Sequence, residues 1–157
     1  MKLFPMLFVL AIAAAPAAAE PQDLSQHPRV GELCEIDFAS DSVALPEDAP
    51  NKLGLAAGWA VQNPGGLLVI DGHADRTGSS PYNVRLSLAR AEVVRDQLVA
   101  AGVDPDRIVI AAFGYDAPQR PVAAENRRVT IWSTHDPLSD VTERLDQLHA
   151  DEVSEQP

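Results

Sequence analysis

A chain of 157 residues has room for one domain of ordinary size with a real core, and not for two. A formal charge of −11 excludes the basic face that nucleic acid requires and disfavours loose adhesion to anionic lipid. With Cys34 the single cysteine, an internal disulfide is excluded.

The chain opens on Lys2, a mostly apolar run over residues 3–15, and the small residues Ala17, Ala18 and Ala19. This reads as a secretory signal over 1–19 with cleavage after Ala19. The run is too short, and too broken by Pro5 and Pro16, for a membrane span. Cleavage removes Lys2 and no acid, so the remainder carries −12 and is expected to be exported, with no membrane span. Residues 20–32, with Pro21 and Pro28 and no period, form a polar leader. Cys34 lies well past the signal, and Leu33 before it is not the small residue of a lipidation site. A structural cysteine beside a strand is the reading taken.

A first strand is expected over 33–38, where Ile36 and Phe38 alternate with Glu35 and Asp37, and Asp41-Ser42 breaks it. Pro46, Glu47 and Asp48 then open a helix. Its inner stripe is Leu53, Ala56, Ala57, Ala60 and Val61, and Asn63-Pro64-Gly65-Gly66 stops it. Leu67-Leu68-Val69-Ile70 is an uninterrupted apolar run, as in a central strand covered on both faces. A second helix over 81–101 turns Leu86, Ala89, Val93, Val94, Leu98 and Ala101 inward and ends at Gly102. Strands over 107–113 and 127–132 follow, with Val129 and Ile131 on one face of the last. The fold class is α/β, an α+β sandwich ordered β-α-β-α-β-β, with two main helices on a small mixed four-stranded sheet. The domain occupies residues 33–134. The tail, 135–157, is acidic and carries Leu138, Val141, Leu145 and Leu148 at helical spacing. It predicts a short amphipathic helix that docks on the domain or on a partner.

The chemistry concentrates at Asp71-Gly-His-Ala-Asp75-Arg-Thr-Gly78 and at Arg90. Arg90 stands four residues after Leu86 and four before Val94, hence on their inner face. Asp75 sits just past the end of the central strand, where open α/β sheets place ligands. A charge turned toward a core requires a partner. Asp75 and Arg90 either bridge each other or together hold a ligand, and the sequence leaves both open. Asp71, His73 and Asp75 are three conceivable metal ligands. The other histidines, His27, His135 and His149, fall in the leader and tail, so no metal and no other cofactor is expected. Ser79, Ser80 and Ser87 lack a nucleophile elbow and Cys34 lacks a base, so no enzyme is expected. Asn83 and Asn126 read as anchors of loop backbone. Arg127 and Arg128 should point to opposite faces, and which one turns toward the site is open.

The composite Phe38-x-x-Asp41-Ser42-x-x-Leu45, Gly72-His-x-Asp75-x-x-Gly78, Tyr82-Asn83-x-x-Leu86-Ser87-x-x-Arg90-Ala91, Gly114-Tyr115, Pro121-Val122 and Asn126-Arg127-Arg128 resembles the OmpA-like peptidoglycan-binding domain. That family includes the peptidoglycan-associated lipoprotein and flagellar stator proteins. The resemblance implies non-covalent binding of the peptide stem of peptidoglycan, with Asp75 and Arg90 holding meso-diaminopimelate. It implies that Asp41, Thr77, Asn83, Leu86 and Arg128 line or support the pocket. One departure stands out: only Ala123-Ala124-Glu125 separate Val122 from Asn126, where the family has a longer polar loop. The expectation is a stand-alone periplasmic module, associated with the wall or the outer membrane, in which Arg90→Ala abolishes binding without unfolding. The alternative is an envelope interaction module that has lost or changed the wall ligand and docks a protein partner through its C-terminal helix.

Overall fold

The computed structural model of the chain describes residues 31–115 and 120–154. The signal read at 1–19 and almost all of the leader lie outside the described residues, as does the side chain of Leu148. The elements are β1 (Gly31–Asp37), α1 (Ala49–Gln62), β2 (Leu67–His73), α2 (Ser80–Ala100), β3 (Ile108–Gly114), β4 (Arg128–Thr134) and α3 (Leu138–Ser154), with 3-10 turns at Pro105–Arg107 and Ala123–Asn126. The sheet is mixed, in the order β1-β4-β2-β3. Strand β2 runs parallel to β3 and antiparallel to β4, and β4 is also antiparallel to β1.

Because β2 is flanked by two strands, both of its faces need cover. Leu68 and Ile70 join Ile36, Val129 and Ile131 under α1 and α2, which contribute Leu53, Ala56, Ala60, Val94 and Leu98. On the opposite face Val69, Val109, Ala111 and Phe113 are closed by Val141 and Leu145 of α3. The tail helix thus docks on its own domain, with Leu138 left half exposed. Among the described residues no helix is long and apolar enough to cross a membrane.

The inner stripes differ in detail from those expected. Val61 is 76% exposed, because eight residues beyond Leu53 it has rotated about 80° away from it, off the buried stripe that holds Ala56 and Ala60. On α2 the buried residues are Asn83, Ser87, Arg90, Ala91, Val94 and Leu98, with Leu86, Ala89 and Val93 half-buried and Ala101 exposed. The half of α2 nearest its N-terminus therefore turns a polar stripe inward. What admits it is Gly72: a Cβ there would stand 2.2 Å from the Ser87 carbonyl oxygen, so only glycine lets β2 and α2 approach this closely. Ser87 uses its hydroxyl twice, donating to the Val84 carbonyl at 2.9 Å and accepting from the Gly114 N–H at 3.0 Å.

Candidate functional site

The loops after β1 and β2, the first turns of α2 and the approach to β4 enclose a cavity of about 260 Å³. Six of the residues singled out in the sequence line it: Asp41, Asp75, Thr77, Asn83, Leu86 and Arg90. Arg128 does not, and Arg127 does. The reason is strand parity. Val129 and Ile131 face α1 and α2, so Arg127 falls on that side, while Arg128 points to the α3 side and stands 3.5 Å from Glu35. Parity separates the three conceivable metal ligands as well. Asp71 alternates with Ile70 toward the α3 side and His73 stacks on Phe113 there, whereas Asp75, beyond the strand, opens to the cavity. Asp71 and His73 have further interactions within the fold.

Arg90 is fully buried, and it does not bridge to Asp75. Its guanidinium donates to three backbone carbonyls: Nε to Ser42 at 2.9 Å, Nη1 to His73 at 3.3 Å and Nη2 to Ala39 at 3.0 Å. It also lies 5.2 Å from the centre of the Phe38 ring. One side chain thereby ties the turn after β1 to the end of β2. Burial, then the nearby Arg127, press its pKa downward, yet an arginine stays charged.

The partner of Asp75 is Arg127, whose Nη1 stands 3.1 Å from the carboxylate, while its Nε donates to the Phe38 carbonyl at 3.2 Å. Asp75 also accepts the Thr77 N–H at 2.9 Å. Burial opposes its charge, but the bonds from Thr77 and Arg127 outweigh burial and hold the carboxyl below the usual carboxylate range. Asn83 fastens the same loop from α2, its Nδ2 donating to the Thr77 carbonyl at 3.1 Å.

The cavity mouth is set by Asp41, which has φ +52°, a conformation that a short polar side chain tolerates. Its carboxylate accepts the Tyr82 hydroxyl, and that bond pushes the phenol pKa up. Tyr82, quoted in the motif, lines the cavity without having been assigned a role from sequence. Gly78, expected to let the backbone turn beside Asp75, lines it too and has φ +96°. The cavity therefore presents two carboxylates and two guanidiniums. Arg90 is committed to backbone and Asp41 to Tyr82. Asp75 and Arg127 are the pair that a ligand carrying both charges can enter by exchanging partners.

Residues 37–131 match the OmpA family. A peptidoglycan-associated lipoprotein of Mesorhizobium japonicum is 35% identical over 121 residues, 77% of this chain and 66% of that protein. One of Rhizobium meliloti is 34% identical over 106 residues, 68% of this chain and 58% of that protein. The chain thus spans somewhat under two thirds of the length of these relatives. The crystal structure of the peptidoglycan-associated lipoprotein from Burkholderia pseudomallei superposes with a TM-score of 0.61 and 27% identity, over 64% of this chain and 89% of that one.

Proposed function

This chain belongs to the OmpA family, and on that premise we propose that it binds peptidoglycan non-covalently in the cell envelope, taking the free end of meso-diaminopimelate into the cavity at Asp75. The observation that carries the reading is the ion pair of Asp75 and Arg127, 3.1 Å apart on the cavity wall. The free end of that amino acid bears an ammonium and a carboxylate. On binding, the ammonium takes Asp75 and the carboxylate takes Arg127, so one internal pair is replaced by two intermolecular pairs and neither charge is left alone. Arg90 supplies positive field behind the site and fixes its floor through Ala39, Ser42 and His73. Asp41, Thr77, Asn83 and Leu86 shape the walls. Arg128, bound to the other face, acts only through the fold.

The domain so read is a binding module and not an enzyme, working in the periplasm against the wall or the outer membrane. The relatives named for association with peptidoglycan support this. Docking of a protein partner through α3 is the weaker reading, because Val141 and Leu145 are spent on the sheet of the same chain.

Calorimetric titration of the protein with L-Ala-γ-D-Glu-meso-diaminopimelate, beside the same peptide carrying lysine, tests the proposal. Lysine lacks the distal carboxylate and should bind at least roughly tenfold more weakly, the scale of one lost charge-assisted pair. Arg127→Gln should remove the preference, and Asp75→Asn should weaken both peptides, since both carry the ammonium. Equal affinity for the two peptides would refute it.

A further inference from the structure

Behind the Asp75 wall lies a second cavity, of about 390 Å³, lined by Arg76, Arg120, Pro121, Ala123 and Asn126. It opens where the loop before β4 is short. Ala123–Asn126 form a tight 3-10 turn, and Asn126 clasps Arg120 through the Arg120 N–H at 2.7 Å and its carbonyl at 3.0 Å. The two cavities share a wall residue by residue. Asp75 and Arg127 face the first, and their chain neighbours Arg76 and Asn126 face the second. The ion pair between Asp75 and Arg127 closes that wall.

The cations of the second cavity are not equivalent. Arg120 is answered by Glu35, in two-point contact at 2.8 and 2.5 Å, and feels Glu125 through space. Arg76 is exposed and makes no hydrogen bond or ion pair among the described residues. An exposed guanidinium fork on a chain of net charge −11 is matched by a planar anion, a carboxylate above all. The step from Asp75 to Arg76 is one residue, about 3.8 Å between Cα atoms, and the arginine arm extends the reach to that of one or two residues of extended peptide.

Resting on the function proposed above, we infer that the second cavity is an anion subsite for the same ligand. Arg76 receives a second free carboxylate of the stem peptide while the diaminopimelate end occupies the first cavity. Two carboxylates of L-Ala-γ-D-Glu-meso-diaminopimelate meet this description, the α-carboxylate of the glutamyl residue and the C-terminal one. The binding chemistry is the same for both.

The test is calorimetric titration of the full chain and of its Arg76→Gln variant with three forms of that tripeptide: the free acid, the glutamyl α-amide and the C-terminal amide. Arg76→Gln should weaken the free acid by roughly three- to tenfold, the range of a partly exposed charge-assisted contact. One of the two amides should abolish that penalty and so identify the carboxylate. The melting temperature should not move, since Arg76 holds nothing in the fold. An identical affinity of variant and parent for the free acid overturns the inference, as does a penalty that persists in both amides. Failure of the underlying reading has a separate signature: the parent binds none of the three peptides, or Asp75→Asn binds the free acid as well as the parent does.

Discussion

Replacing Arg90 by alanine removes a side chain that donates to three carbonyls at once, those of Ala39, Ser42 and His73. A buried bond from a charged donor is worth about 1.5–3 kcal/mol, but Arg90 also lines an open cavity, where water can reach the vacated carbonyls. Counting each bond at about 1 kcal/mol gives a loss of about 3 kcal/mol, to which the missing contact with Phe38 adds little. For a domain of this size that lowers the melting temperature by roughly 10–20 °C. The variant still folds at room temperature, but with the turn at residues 39–42 released, so its loss of wall binding is partly a loss of site shape. Urea denaturation followed by far-ultraviolet circular dichroism measures the change, and Arg90→Lys should recover only part of it. A loss below about 1 kcal/mol would refute the assignment of Arg90 as the pin of this loop.

Gly72→Ala places a Cβ 2.2 Å from the Ser87 carbonyl oxygen and 2.8 Å from its carbon, backbone that cannot swing aside. The helix has to recede from β2, so a destabilisation of about 2–4 kcal/mol is expected in the same denaturation assay. Burial, opposed by Lys52 and assisted by Glu32, pushes the Cys34 thiol up to about 11. Alkylation by iodoacetamide at pH 8 should therefore be slow in the folded protein and fast in urea, and a fast native reaction would contradict the burial. Because the carboxyl of Asp75 is depressed, its charge is fully present above the ordinary carboxylate value of about 3.9 and is lost only as pH falls through the lower folded value. Affinity for the diaminopimelate peptide should be level from about pH 7 to 5 and fall only below about pH 4. A decline centred near pH 6 would place the titrating group elsewhere.

The order of elements was legible because each strand and helix obeys its own period, and the uninterrupted apolar run at residues 67–70 correctly announced a strand covered on both faces. The strand limits moved by one or two residues, except that β2 runs three residues past Ile70, to His73. Arg90 was legible as an inward charge from its spacing to Val94. Its partners were not, because backbone carbonyls contributed by Ala39 and Ser42, about fifty residues earlier in the chain, leave no trace in residue type. The choice between Arg127 and Arg128 was within reach of parity, since Val129 and Ile131 mark the helix-covered face. What sequence lacked was the knowledge that Asp75, past the end of β2, opens to that same face. Arg76 drew no attention, because an exposed arginine in a loop is ordinary until the short turn at Ala123–Asn126 is seen to leave space beside it.

Co-sedimentation of the protein with purified sacculi tests the central claim most directly. Diaminopimelate-type sacculi should pull down the parent protein, and lysine-type sacculi should not. Asp75→Ala and Arg127→Ala, each shown to be folded by circular dichroism, should remain in the supernatant with both. Equal recovery on the two wall types, or undiminished recovery of the two variants on diaminopimelate-type sacculi, would contradict the claim that the pair formed by Asp75 and Arg127 receives the wall peptide.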